Sequence, residues 1–174
     1  MGRAQFSEFG SWLFRRLIPV VSVTLLMCLS LMPLANPMIS AWMPMFGLCA
    51  LFYWVVHRPN LLQIGLTFVL ALFFDLVSGT LLGTTVIPAL LFYRYVSENE
   101  RIYRFSSDPM IWVSFIAFSG GAIFLDWFLT AALHWTWVNP LPGLVRWIAT
   151  VCSYPLVHLI LLPIDRLFLG GPDS

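Results

Sequence analysis

The chain has 174 residues, of which 60% are hydrophobic and only 10% charged, and its formal net charge is +1. Soluble domains carry about 25% charged residues, so a water-facing surface of this size would be short of charge. That balance argues against a soluble enzyme, a disordered chain and a nucleic-acid binder, and it points to an integral membrane protein with several spans. All nine basic residues are Arg, so lysine chemistry is absent. Cys28, Cys49 and Cys152 each fall inside an apolar run and read as small buried hydrophobes, with neither a disulfide framework nor metal-ligand spacing.

Residues 1–16 come first. They read as a cytoplasmic tail or as a short interfacial helix, with Phe6, Phe9 and Leu13 on one face and Arg3, Ser7 and Ser11 opposite. Six apolar runs follow, at 17–34, 41–56, 61–77, 81–96, 110–133 and 141–162, and each approaches the roughly 20 residues that a bilayer core requires. The first reads as a retained span, because Pro33 spoils the small-residue pattern of a leader-peptide cleavage site. Breaks between runs fall at Asn36-Pro37, Arg58-Pro59-Asn60, Ser78-Gly79, Ser107-Asp108-Pro109 and Asn139-Pro140. Pro88 and Pro155 sit within runs and predict kinks. Residues 163–174 read as a second tail. The expected fold is a single all-α domain, a polytopic bundle of six transmembrane helices.

Arginine placement predicts the orientation. Arg3, Arg15 and Arg16 precede the first span, Arg58 follows the second, Arg94, Arg101 and Arg104 follow the fourth, and Arg166 follows the sixth. Arg146 alone lies toward the opposite side, so the positive-inside rule puts both termini in the cytoplasm. The connection after the fourth span carries the i,i+4 pairs Arg94/Glu98 and Glu100/Arg104 around Arg101, and it reads as a cytoplasmic helical arm.

Charges within a span cost about 2.5–3.5 kcal/mol each on insertion scales, so Asp75, Asp126 and Arg146 are expected to face the bundle interior. Helical spacing groups Thr67, Ala71 and Asp75 on one stripe, Ser119, Ala122, Asp126 and Thr130 on a second, and Arg146, Thr150 and Ser153 on a third. The expectation is that Arg146 pairs with Asp126 or Asp75 and binds three helices together. The competing reading is a proton or ligand site. Gly79 and Gly83 bracket a tight reversal. His57, His134 and His158 fall on different connections or faces and lack metal spacing. No catalytic constellation, metal site or cofactor motif is expected.

Between residues 53 and 83 the chain reads Tyr53-Trp54, then His57-Arg58-Pro59, an apolar span ending at Asp75, and finally Ser78-Gly79 with Leu82-Gly83. This stretch resembles the rod shape-determining membrane protein family MreD, whose members show Tyr-Trp, Arg-Pro, a Gly-Leu-x-x-Asp span end and a Pro-Leu-Gly turn. Asp75, Gly79 and Gly83 are the matching positions, while Ala71 and Leu81 stand where that family commonly has Gly and Pro. The resemblance implies a non-enzymatic scaffold of the cell-elongation machinery in the bacterial inner membrane. It implies binding to MreC, a bitopic protein with a periplasmic coiled coil, beside the MreB filament, the RodA glycosyltransferase and a class B transpeptidase. It also implies a fold similar to the substrate-binding subunits of energy-coupling-factor transporters. A small-molecule-binding subunit of such a transporter is therefore the alternative. The first span lacks the Ala-x-x-x-Ala docking motif common in those subunits, which favours the scaffold.

Overall fold

A computed structural model describes residues 2–30, 43–79, 81–99, 108–134 and 139–170. Among the described residues the secondary structure is six α-helices and no strand. They are α1 (Gly2–Ser30), α2 (Phe46–His57), α3 (Ile64–Ser78), α4 (Val86–Glu98), α5 (Asp108–His134) and α6 (Leu141–Leu169). The helix of residues 2–30 is continuous and runs through the boundary at residues 16–17 that the apolar run sets. Glu100, Arg101 and Arg104 of the expected arm lie outside the described residues.

α2 is the axis of the bundle. Every residue from Gly47 to Val56 is buried, which matches an apolar sequence with no polar face. Its neighbours are α1, α4 and α6. On α1 the backbones come close: a Cβ on Gly47 would stand 2.3 Å from Met27 Cγ. The Gly47 amide donates to Ser30 Oγ at 3.4 Å, and the Trp54 indole donates to Ser22 Oγ at 2.8 Å. Small and hydroxyl residues are what allow apolar helices to approach in lipid. On the other side the Phe52 ring lies 4.6 Å from Phe92, 5.0 Å from Phe115 and 5.5 Å from Tyr154, drawing α4, α5 and α6 onto one aromatic centre.

Among the described residues, α5 and α6 are the two helices long and apolar enough to cross a bilayer, over Pro109–Ala132 and Leu141–Leu167. The 24 residues of the first rise about 36 Å, more than the roughly 30 Å hydrocarbon core. α2 is shorter than the run read from the sequence. Its 12 residues rise about 18 Å. A helix wrapped by protein on all sides is freed from the length rule, since its ends meet other helices rather than lipid.

α4 begins at Val86, and residues 81–85 form the turn before it. Pro88 therefore sits in the first turn of α4 rather than in mid-span, where its missing N–H has no intrahelical acceptor to lose. Pro155 does lie inside α6. It leaves the Val151 carbonyl without its i+4 donor, and the Trp112 indole from α5 approaches that oxygen at 3.4 Å. Polar side chains in α5 and α6 mostly satisfy themselves. Ser119, Thr130, Thr150 and Ser153 each donate to the carbonyl one turn back.

The outer surface is apolar. Leu17, Val21, Leu25 and Leu29 form an exposed stripe along α1, and Leu156, Leu159 and Ile160 do so on α6. Apolar exposure on this scale suits lipid, not water. Cys28 and Cys152 belong to this exposed surface, so only Cys49 is the buried hydrophobe that composition suggests. A helix surrounded by lipid gains nothing by hiding a thiol.

Candidate functional site

The bundle has two chemically distinct ends. At one end the Arg58 guanidinium of the α2–α3 turn bonds Asp165 of α6, Nε to Oδ1, at 3.1 Å. Asp165 is 2% exposed, so this pair is largely desolvated. The Tyr93 hydroxyl of α4 donates to the Pro59 carbonyl at 3.4 Å. Arg94 follows Tyr93 and pairs with Glu98 on the surface at 2.9 Å. Arg58, Arg94 and Arg166 therefore gather at this end, while Arg146 lies at the other.

Beneath the Arg58–Asp165 pair is an aromatic and histidine cluster. Tyr53 stacks on His57 with ring centroids 4.2 Å apart, and His158 of α6 meets both, at 5.4 Å and 5.6 Å. Tyr154 lies 6.2 Å from His158. The sequence expectation that His57 and His158 occupy unrelated places is thus wrong. A Tyr-x-x-x-His pattern stands on α2 (53 and 57) and again on α6 (154 and 158), and the helices bring the two copies face to face. That repeated pattern was the available signal. The side chain of His134 lies outside the described residues, and no group of three potential metal ligands occurs among the described residues.

The opposite end carries the α3–α4 turn, the start of α2 and the start of α6. Gly79 ends α3 in the left-handed region, with φ of 67°, and Gly83 has φ of 104°. Both reversals would strain a residue with a Cβ. Asp75 is completely buried one turn from the end of α3. Its Oδ2 accepts the Gly83 amide at 2.8 Å and its Oδ1 accepts the Thr85 amide at 3.1 Å. The Thr84 hydroxyl lies 3.4 Å from Oδ1. Asp75 thus acts as a side-chain anchor for the turn that starts α4. Thr67 and Ala71, on the same stripe, are also fully buried.

Asp126 of α5 and Arg146 of α6 line a single cavity of about 250 Å³, together with Met45, Thr84, Thr85, Trp127, Thr130 and Asn139 among others. The two charges interact electrostatically, yet no salt-bridge contact joins them among the described residues. Arg146 Nε is buried with no hydrogen-bond partner. The expected pairing of Arg146 with Asp75 fails because backbone amides already occupy the Asp75 carboxylate. Pairing with Asp126 is replaced by shared residence in one cavity. The helices that carry them are fixed close by: Trp147 Nε1 donates to Ser119 Oγ at 3.1 Å, and its ring closes over Gly120.

Comparison with known proteins gives one decisive match. The family model described as rod shape-determining protein MreD aligns with residues 11–162. The chain belongs to the MreD family. The match covers all the described helices except the first residues of α1 and the last turns of α6. MreD proteins are bacterial membrane proteins with a structural role in determining rod shape, and the family is not a known enzyme family. No curated protein and no solved structure matches the chain, so the likeness to transporter subunits gains no support. Within the family stretch lie Tyr53, His57, Arg58, Asp75, Gly79 and Gly83. Each has a structural task here: the first three at the arginine end, the last three in the α3–α4 turn.

Proposed function

We propose that this MreD-family chain is a non-enzymatic scaffold of the cell-elongation machinery in the bacterial inner membrane, with an MreC-like bitopic protein as its direct partner. The observation that carries the reading is the family match over residues 11–162, which takes in nearly the whole helical bundle. On this reading the chain crosses the membrane six times with both termini in the cytoplasm. Clustering of Arg58, Arg94 and Arg166 at one end of the bundle supports that orientation. MreB, RodA and a class B transpeptidase are the wider assembly, reached through the partner and through the polar segment after α4. Partner helices dock by packing on the apolar outer faces of the bundle rather than through charge.

Co-purification tests the reading. The tagged full chain, extracted in a non-ionic detergent, is expected to retain a single-span protein with a periplasmic coiled coil. Depletion in a rod-shaped host is expected to give round cells. Normal rods after complete depletion, with no such protein recovered, refute it.

A further inference from the structure

The cavity at the turn end holds two complementary charges that do not touch. Asp126 contributes from α5 and Arg146 from α6. The two charges feel each other across the cavity, but neither makes a salt-bridge contact among the described residues. Arg146 Nε is buried and unpartnered, and the Asp126 carboxylate accepts no hydrogen bond among the described residues. Hydroxyls one turn along the same helices are committed elsewhere: Thr130 donates to the Asp126 carbonyl and Thr150 to the Arg146 carbonyl, both at 2.7 Å. Separate unpaired charges in a membrane bundle are costly, and a structural ion pair would place them in contact.

The walls are fixed. Thr84 and Thr85 form one side, and Asp75 holds that turn through the Gly83 and Thr85 amides. The Met45 amide donates to Thr150 Oγ1 at 3.1 Å, which ties the start of α2 to α6 beside the cavity. Trp127 adds an aromatic wall next to Asp126, a surface suited to an ammonium group. At about 250 Å³ the space falls just under the ~300–1,000 Å³ usual for drug-sized ligands, and it suits a headgroup-sized occupant.

We propose that this cavity binds a small zwitterion, with its ammonium group on Asp126 and its phosphate on Arg146. A phosphoethanolamine group has both charges on one short chain. It can come from a phospholipid reaching in from the membrane or from a free soluble molecule. Binding completes the neutralisation that the protein leaves open. This inference does not depend on the scaffold reading, and no transport step is implied.

Native mass spectrometry of the full chain in a non-ionic detergent tests it, with equal amounts of phosphatidylethanolamine and phosphatidylglycerol added. A hydrogen bond to a charged group is worth roughly tenfold or more in affinity, so retention of the zwitterionic lipid is expected to exceed that of the anionic one by about that factor. Asp126→Asn is expected to abolish the preference and Arg146→Gln to weaken retention of both lipids, while Arg94→Gln, on the exposed surface, changes neither. Glycerophosphoethanolamine then separates the two sources. If it binds alone, a free zwitterion suffices; if only the intact lipid binds, the membrane supplies the occupant. Equal retention of both lipids by the unmodified chain overturns the proposal, whether or not the variants fold. So does a preference that survives Asp126→Asn in folded protein.

Discussion

Asp75 offers the sharpest test of the turn. The carboxylate is fully buried and accepts two backbone amides, from Gly83 at 2.8 Å and Thr85 at 3.1 Å. A buried N–H stripped of its acceptor costs about 1–3 kcal/mol. Asp75→Ala strands both amides, so the loss is about 4 kcal/mol. Asp75→Asn keeps one carbonyl oxygen and turns its NH2 toward the second amide, so it loses about half as much. At about 2–4 °C per kcal/mol for a chain of this size, Asp75→Ala lowers the unfolding midpoint by roughly 8–16 °C, with Asn intermediate. Thermal unfolding in non-ionic detergent, followed by circular dichroism, reads that order. Asp126→Asn is the matched control, because its carboxylate holds no amide, and its effect is expected to be smaller than that of Asp75→Asn. Hydrogen exchange adds a local readout: the Gly83 and Thr85 amides should exchange faster in Asp75→Asn while α5 amides stay unchanged. If Ala and Asn unfold together with the unmodified chain, or if Asp126→Asn costs as much, the anchor assignment is wrong.

Other contacts give equally direct expectations. Gly47→Ala puts a methyl group 2.3 Å from Met27 Cγ and 3.1 Å from Met27 Cα, so α1 must move away from α2. Overpacking of this kind costs about 1–3 kcal/mol, and Gly47→Ala is expected to cost less in a Met27→Ala background than in the unmodified chain, read by the same unfolding assay. Arg58→Ala leaves Asp165 buried without its guanidinium and is expected to cost about 2–3 kcal/mol, while Arg94→Ala, on an exposed pair, stays within about 0.5 kcal/mol. Equal effects of the two substitutions would show that burial of the Arg58 pair carries no weight.

Local features were readable in the sequence, and long-range partners were not. The polar stripe of Thr67, Ala71 and Asp75 follows from helical spacing alone, and all three residues are buried. The reversal at Gly79 and Gly83 is also local, since only a few residues separate it from the carboxylate that anchors it. Arg146 was harder. Sequence reading sets charge against charge, but backbone amides at a helix start satisfy a carboxylate equally well, and they leave no mark in the composition. Asp165 escaped notice because it lies just past the last apolar run, where a charge is ordinary. The lengths of α2 and α4 were overestimated for a related reason: an apolar run records burial or lipid contact, not helix, so 81–85 reads as span although it folds as a turn.

The burial of α2 decides which surfaces remain for a partner. α2 is tied to α6 at both ends, through Met45 and Thr150 at one and Arg58 and Asp165 at the other. Phe52 links the same helix to α4 and α5 in between. Its side chains therefore report on the integrity of the bundle and not on contacts with other proteins. The apolar side chains left exposed are the leucine and valine stripe of α1 and those on α3 to α6, and these are the faces that the proposed scaffold reading offers to a membrane-crossing partner. Substitutions such as Leu25→Ala, which remove apolar contact without opening a cavity, separate partner binding from folding. Changes at Phe52 or Trp54 cannot, since they damage the core that holds every outer helix in place.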